Sequence, residues 1–493
     1  MVFFKLSWYE ILATSVYIIN FLVILNLIFR EKRSIETTVA WILILTTAPA
    51  VGFVFYMAFG RGISKDNMFK IKETEDKIIK DNILNTYAKL QSKKNFEPNL
   101  LKHRDMIYAL ANSNYANFTT NNGVDVYPNS EDFFNSLLDE LKKAKYYINI
   151  QFYIFKDDKI GNEIIDVLLN KAAEGVEVRL LYDAVGSRLF TDKSILKLKK
   201  GGVKVGCFFP SFMKIFNFNL NYRNHRKIVV IDGKIGFIGG NNVGDEYLGR
   251  DAKFGMWRDT HLKLIGDSVI DLNIRFLLDW RYTTKEDLDL GIYFNEKCFA
   301  SDEELPSSAN IGMQIVSSGP DITDLDEIKY GYIKMMQKAT KYIYIQSPYF
   351  ILDKTLTDTL KIACFSGVDV RIMIPSKPDH PFVYWASSSY ACELLKYGAK
   401  VYNYDENAFL HAKTIVIDDS ICSIGTANMD IRSFELNFEV NAFIYSSEIA
   451  MQQKSIFEND LLNSKEITLD MYNSRVTSIK IKESISRLLS PLL

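Results

Sequence analysis

Two stretches of this chain, HRKIVVIDGKIGFIGGNN from His225 to Asn242 and HAKTIVIDDSICSIGTAN from His411 to Asn428, obey one frame. In each, a His is followed by Lys two places on, Asp seven on, Gly fourteen on and Asn seventeen on. The apolar fillers agree too: Val229 answers Ile415, Ile231 answers Ile417 and Ile238 answers Ile424. Only five His occur in 493 residues, so two in matching frames mark an internal duplication. A duplicated chain must build one fold twice and then pair the copies.

The repeat is wider than the frame. YYINIQFYIF (Tyr146 to Phe155) is answered by YIYIQSPYFI (Tyr342 to Ile351), and AAEGVEVRLLYD (Ala172 to Asp183) by ACFSGVDVRIMIP (Ala363 to Pro375). LKKGGVKVGCF (Leu198 to Phe208) is answered by LLKYGAKVYNY (Leu394 to Tyr404). Gly closes each helix while Val, Ile and Tyr fill each strand, so each half reads as an α/β unit of strand, helix, strand, helix, strand. The first unit spans 111–297 and the second 311–470, joined by a polar linker at 298–310 that carries Pro306. Residues 63–110 read as a polar helical stalk. Residues 471–493 read as an amphipathic helix that either lies on a membrane or docks on the body.

Ahead of the duplication the chain changes character. Ile11 to Phe29 and Thr37 to Gly60 hold 19 and 24 residues without a charge. As helices they would reach roughly 28 and 36 Å, against about 30 Å of hydrocarbon. With only REKRSIE between them, residues 1–62 are expected to form a two-helix transmembrane hairpin, with spans over about 11–29 and 37–60. A secretory signal fits less well, because only Lys5 precedes the run and no small-residue cleavage site follows it. Lys5, Arg61, Lys65, Lys70, Lys72 and Lys77 lie on the side of the body, against Arg30, Lys32 and Arg33 in the loop. Six against three predicts a multi-pass cell-membrane protein with a cytoplasmic body.

Composition matters for what it excludes. A net charge of −1 leaves no basic footprint, so nucleic acid is not expected as a partner. Cys207, Cys298, Cys364, Cys392 and Cys422 are scattered without a C-x-x-C, as reduced thiols are. No carboxylate or His/Cys cluster has metal-ligand spacing, so neither a metal nor a cofactor is expected.

The frame explains its own spacing. HRKIVVI reads as a strand, so His225 and Lys227 share a face. Asp232-Gly233 reads as a two-residue hairpin that returns KIGFIGG and brings Asn242 beside His225. His411, Lys413 and Asn428 converge in the same way. Lys⁺ and a carboxamide can hold the nonbridging oxygens of a phosphoryl group through its transition state. Imidazole can attack phosphorus and form a covalent intermediate, and the leaving alkoxide needs an acid on the far side. Two His fill both roles, so the duplication makes one site. A nucleophilic imidazole also needs its other ring nitrogen held by an acceptor. The second half offers Glu439, 28 places after His411, and the first offers Asp259 in GMWRDTHLKL. Trp257, Tyr349 and Phe350 fit an acyl-chain wall or the core equally well. His103, His261 and His380 read first as surface or structural histidines, and only His380, in KPDHPF, carries a second reading as a wall of the lipid site.

The doubled frame resembles the signature of the phospholipase D superfamily. NYRNHRKIVVIDGKIGFIGGNNVGDEY, SPYF, HAKTIVID, GTANMDIRSFELNFE and the closing RLLSPLL narrow the likeness to bacterial cardiolipin synthases of the two-motif type. REKRSIETTVAWILILTTAPAVGFVFYMAFGRG resembles their membrane hairpin, so the likeness covers nearly the whole chain. It implies two phospholipase D-like units in pseudo-twofold pairing. It also implies condensation of two phosphatidylglycerols to cardiolipin and glycerol through a phosphatidyl-histidine. His225, Lys227, Asn242, His411, Lys413 and Asn428 would form the catalytic centre, with His225 as nucleophile and His411 as acid and base. Asp232 and Asp418 match the motif Asp and are expected to steady the hairpins. Where the family often has Ser before x-N, this chain has Gly240 and Thr426, so a hydroxyl contact to phosphate is open to Thr426 alone. A lipid hydrolase shares the first chemical step and stays open. A nuclease would have no use for the anchor, and a scaffold would carry damaged motifs.

Overall fold

The computed structural model describes residues 7–29, 35–59, 98–114, 116–210, 222–289, 293, 300, 305–306, 310–320 and 326–490. The stalk as far as residue 97, the loop at 30–34 and most of the 298–310 linker lie outside the described residues.

Each copy of the repeat builds one mixed sheet from short β-branched runs ended by turn residues. The first sheet runs, strand by strand, Asn122–Tyr127, His261–Gly266, Ile235–Gly239, Ile228–Ile231, Tyr147–Phe152, Glu177–Asp183, Lys204–Phe208. The second runs Gly312–Ser318, Asn437–Tyr445, Ile421–Gly425, Thr414–Ile417, Tyr342–Gln346, Asp369–Ile374, Lys400–Asn403. These seven strands correspond one for one, and the second sheet is extended by Phe118–Thr119 beside Gly312–Ser318 and by Lys465–Ile467 beside Lys400–Asn403. In both, three parallel strands are joined by crossover helices, and the motif hairpin adds antiparallel to their edge. The crossover helix Lys159–Ala173 starts where Asp158 accepts from the Gly161 amide, and it buries Ile160, Ile164, Ile165 and Leu168 on one face.

The motif turns are three residues long rather than two. Ile231 pairs with Ile235, and Ile417 with Ile421. Asp232 and Gly233 take φ of 55° and 72°, and Asp418 and Asp419 take 50° and 51°. That left-handed region costs an ordinary side chain, and each turn is held by its own Asp. Asp232 accepts from the backbone amides of Lys145, Tyr146 and Tyr147 at 2.7–2.9 Å. Asp418 accepts from Thr340, Lys341 and Tyr342 in the same pattern.

Two short parallel ladders stitch the halves together. Arg223–Asn224 of the first half pairs with Asn437 and Phe438 of the second, and Met256–Arg258 pairs with Ala408–Leu410. Arg226, fully buried, bonds Asp279 of its own half and the carbonyls of Ser318 and Glu439 across the seam. A hydrogen bond from a charged group is worth about 1.5–3 kcal/mol, so these two bonds to carbonyls help fix the seam. Helix Arg104–Asn114 and strand Phe118–Thr119 also cross it. They precede the first sheet in sequence but pack on the second, where Met106, Ile107, Leu110 and Phe118 join the core.

The expected pair of membrane spans needs correction. Among the described residues, no helix is long and apolar enough to cross a membrane. The second apolar run is broken into helices Ile35–Thr47 and Pro49–Phe59, because Pro49 has no N–H to continue the ladder. The carbonyl this frees, on Leu45, accepts instead from the side-chain amide of Asn20 at 3.1 Å, and that of Pro49 accepts from the same nitrogen at 2.9 Å. Asn20 belongs to helix Trp8–Phe29, which packs on the broken pair through Leu27, Trp41 and Leu45. At the other end, helix Thr477–Leu489 docks on helix Pro381–Glu393. Arg487 pairs with Glu393 at 2.7 Å, and Tyr390 bonds Ser490 at 3.0 Å. Ile481, Ile485 and Leu488 stay exposed on the outer face.

Candidate active site

His225 and His411 come from different halves but line one cleft of about 780 Å3. Each is delivered by one of the cross-half ladders. The residue after the Asn224–Phe438 pair is His225 on one strand and Glu439 on the other. The residue after the Leu410–Arg258 pair is His411 on one and Asp259 on the other. Backbone bonds fix the register: the His225 amide donates to Phe438 and the His411 amide to Arg258.

The carboxylates therefore serve the opposite halves. Nδ1 of His225 lies 2.9 and 3.0 Å from the two carboxylate oxygens of Glu439. Nδ1 of His411 lies 2.6 Å from Asp259. Sequence order had grouped Glu439 with His411 and Asp259 with His225, and the structure exchanges those partners. An ionised carboxylate only accepts, so the proton sits on each Nδ1 and each Nε2 keeps its lone pair.

Thr426 is also relocated. It is fully buried, and its hydroxyl donates to Glu439 at 2.6 Å instead of facing the cleft. At the equivalent Gly240 a Cβ would fall 2.0 Å from the Asp259 carboxylate, so the shorter acid fills the space that Thr426 occupies in the other copy. Asn437 adds a second donor to Glu439 at 3.1 Å, while Asp259 takes the backbone amide of Thr260 at 2.7 Å.

Lys227 and Lys413 are fully buried and lie behind the histidines, each donating to the carbonyl of its own His. The Lys413 ammonium also stands 2.9 Å from Nδ1 of His411. Asn242 and Asn428 both line the cleft but differ. Asn242 accepts from the Ile154 amide and donates to the Tyr247 hydroxyl, so it braces the wall. The carboxamide oxygen of Asn428 has no hydrogen-bond partner among the described residues. Asp232 and Asp418 sit at the far ends of the hairpins, outside the cleft lining.

Burial governs the electrostatics. It holds both imidazoles down to about 4; Lys227 and Lys413 add to this and the carboxylates oppose it. It also holds Lys413 down to about 8 and pushes Lys227 well below the ordinary lysine range. Burial would raise Glu439 and Asp259, but the adjacent His and Lys groups outweigh it and keep both ionised. At neutral pH the centre thus holds the Lys413 ammonium, two carboxylates and two neutral imidazoles.

Lys413 gives a pH dependence with opposite signs for activity and stability. Its ammonium is lost above about pH 8, whereas an unfolded lysine keeps its proton to 10.5. Between those values the unfolded chain binds more protons, so this group makes stability rise with pH while the positive charge behind His411 disappears. The expected result is a kcat/KM that falls with unit slope above about pH 8, without a matching fall in Tm. In Lys413→Arg that limb should vanish, since a guanidinium does not titrate there. An unchanged limb would assign it to another group.

The remaining walls are aromatic. Tyr153 stands edge-on to His225 at 5.0 Å, and Trp257 tilts over His411 at 5.1 Å, backed by Tyr247 and Phe409. Tyr349 lines the cleft and bonds Asp379, whereas Phe350 is core. His380 lines the cleft as well. His103 and His261 are buried elsewhere, the latter stacked on Phe133 at 3.9 Å. Sequence reasoning had not singled out Tyr153, Arg223, Asp379 or Arg432, all of which line the cleft. All four fall inside stretches singled out in the sequence, Asp379 in KPDHPF and Arg432 in GTANMDIRSFELNFE among them, so nearness to the motifs was the available signal.

Comparison with known proteins matches this geometry to a family. The model for the cardiolipin synthase, phospholipase D-like domain fits residues 137–256 and 332–461, and that for the phospholipase D-nuclease N-terminal region fits 18–61. A cardiolipin synthase of Oceanobacillus iheyensis is 46% identical over 98% of this chain and 99% of its own. The major cardiolipin synthase ClsA of Bacillus subtilis is 47% identical over the same shares. The crystal structure of a phosphatidylserine synthase from Haemophilus influenzae shares the fold, with a TM-score of 0.58 at 15% identity over 81% of this chain and 100% of that one. Matched in both halves by one family model and end to end by these relatives, the chain belongs to the bacterial cardiolipin synthase family of phospholipase D-like proteins.

Proposed function

We propose that this protein makes cardiolipin by moving a phosphatidyl group from one phosphatidylglycerol to a hydroxyl of a second, releasing glycerol. The observation that carries the reading is the pair of histidines on one cleft, each braced from the opposite half, in a chain aligned end to end with cardiolipin synthases. Nε2 of His225 attacks phosphorus and the phosphorus–oxygen bond to glycerol breaks, leaving phosphatidyl-His225. His411 gives its proton to the departing oxygen. It then takes the proton from the hydroxyl of the second lipid, whose oxygen attacks phosphorus and frees His225.

The charge balance supplies the proton. Two lysines offset two carboxylates at most, so a bound phosphodiester leaves the buried centre with at least one negative charge in excess. That excess favours an imidazolium, although burial alone favours the neutral ring. The asymmetry between the carboxylates supports the roles. Asp259 makes a single short contact to His411, which suits the ring that must carry charge. Glu439 shares its lone pairs with Thr426 and Asn437, which leaves His225 the less basic ring and suits a neutral nucleophile.

The membrane is the second partner in this reading. The N-terminal helices leave Trp8, Tyr17, Phe21, Leu22 and Phe29 exposed, and apolar surface in water costs about 25 cal/mol per Å2. A lipid surface relieves that cost and brings the substrate with it.

Vesicles of phosphatidylglycerol test both halves of the proposal. The protein should float with them and convert the lipid to cardiolipin and glycerol in equal amounts, without added nucleotide or metal. A requirement for CDP-diacylglycerol, or inhibition by chelators, would refute the chemistry. Failure to float would refute the membrane reading.

A further inference from the structure

The C-terminal helix Thr477–Leu489 is docked inside out. Its buried side is polar: Glu483, Ser486 and the capping Ser490 are 3% exposed or less. Its outer side is apolar: Ile481, Ile485 and Leu488 are 54%, 47% and 77% exposed. At about 100° per residue these three fall in one stripe, opposite the docked residues. Polar contacts hold the helix down. Glu483 pairs with Arg475 at 2.7 Å, and Arg487 pairs with Glu393 while its guanidinium lies 4.3 Å over the Tyr390 ring. A helix facing only water would turn its polar groups outward and its isoleucines inward, because exposed apolar area is unfavourable.

The helix beneath it, Pro381–Glu393, reaches the cleft, which His380 and Val383 line. Phe382 between them is 53% exposed, and one turn on, Trp385 has the Lys482 ammonium 5.1 Å from its ring. Lys480 and Lys482 border the apolar stripe on its two sides. The carboxylates of the two helices are engaged within the fold, Glu483 with Arg475 and Glu393 with Arg487 and Lys361. We propose that this face inserts into an anionic bilayer surface and, through helix Pro381–Glu393, seats the mouth of the cleft on it. The proposal rests on the membrane and cardiolipin readings above, and adds a contact far along the chain from the apolar N-terminus. Acyl chains would cover the stripe while headgroups meet the two ammonium groups, the arrangement of an interfacial helix. A second copy of the chain fits less well, since pairing two such faces would bring like charges together. A seated cleft receives a lipid headgroup without drawing the acyl chains through water.

The test gives the full-length protein one substrate in two physical states. Long-chain phosphatidylglycerol is presented in vesicles, and dihexanoyl phosphatidylglycerol as monomers in water. Ile481→Ser, Ile485→Ser and Leu488→Ser combined should lower cardiolipin formation on vesicles by at least about tenfold. Turnover of the dihexanoyl lipid and Tm should stay unchanged, because these side chains face outward. Lys480→Ser with Lys482→Ser should slow the vesicle reaction several-fold at low salt and little at high salt. Equal loss on both substrates would overturn the proposal by placing the face in the fold, and full vesicle activity would overturn it by leaving the face idle. Should the triple variant not fold, Ile485→Ser alone reads the same ratio between substrates. A wild-type dimer in detergent that the triple variant splits would assign the face to a second copy instead. The wild-type control separates this idea from its parent: if it converts the dihexanoyl lipid yet neither floats with vesicles nor converts them, the membrane reading has failed and this one falls with it.

Discussion

Replacing His225 by Ala should leave no detectable covalent adduct and no burst with any phosphatidyl substrate, whereas His411→Ala should burst once with a good leaving group and then stall. The difference follows from what each ring supplies. Nε2 of His225 forms the bond to phosphorus, and no neighbouring group can replace it, so its loss is expected to cost on the order of 10⁶ in rate. His411 supplies and recovers a proton, which is worth about 10² to 10⁴. A p-nitrophenyl phosphatidyl ester needs little protonation on departure, so His411→Ala should still load His225. It lacks the base that activates the second alcohol, so the adduct should persist long enough for peptide mapping. An adduct mapped to His411, or turnover retained in His225→Ala, would reverse the assignment.

Much of this centre was legible in the sequence because duplication multiplies evidence. The His, Lys and Asn positions stand in one frame twice, and the seven strands that the two sheets share run in the same order. The first hairpin was readable from Asp-Gly chemistry and the second from its matching frame, although three residues rather than two close each turn. Three-dimensional exchange was not legible. Sequence order groups Glu439 with His411, yet the ladders that pair Asn224 with Phe438 and Leu410 with Arg258 are contacts between halves, on which local periodicity is silent. Thr426 misled for a related reason: a hydroxyl inside a phosphate-binding frame looks like a ligand until the carboxylate beside it is placed. The apolar N-terminus misled by length. Uncharged runs suggested two continuous helices, but Pro49 interrupts the second and Asn20 satisfies the carbonyl it frees.

The exchange of carboxylates makes a prediction that no arrangement within one half can make. Glu439→Gln should slow cardiolipin formation by about 10⁴, the scale seen when an orienting carboxylate becomes a carboxamide and the imidazole loses its tautomer. The loss arises on His225, across the seam, because Glu439 fixes its Nδ1–H and offsets the positive charge that phosphatidyl-His225 carries. In His225→Ala the carboxylate has no ring left to orient, so adding Glu439→Gln should change the residual rate little. In His411→Ala the same substitution strikes an intact His225 and should depress adduct formation by nearly its full single-variant factor. Asp259→Asn should show the mirror pattern, silent with His411→Ala and additive with His225→Ala. Residues that act as one unit are non-additive and independent ones add, so the two double-mutant cycles read out who serves whom. Cycles coupling Glu439 to His411 and Asp259 to His225 would mean that each half works alone. Coupling across the seam would make the pair of halves the smallest catalytic unit, because each half then holds a histidine it cannot orient without the other.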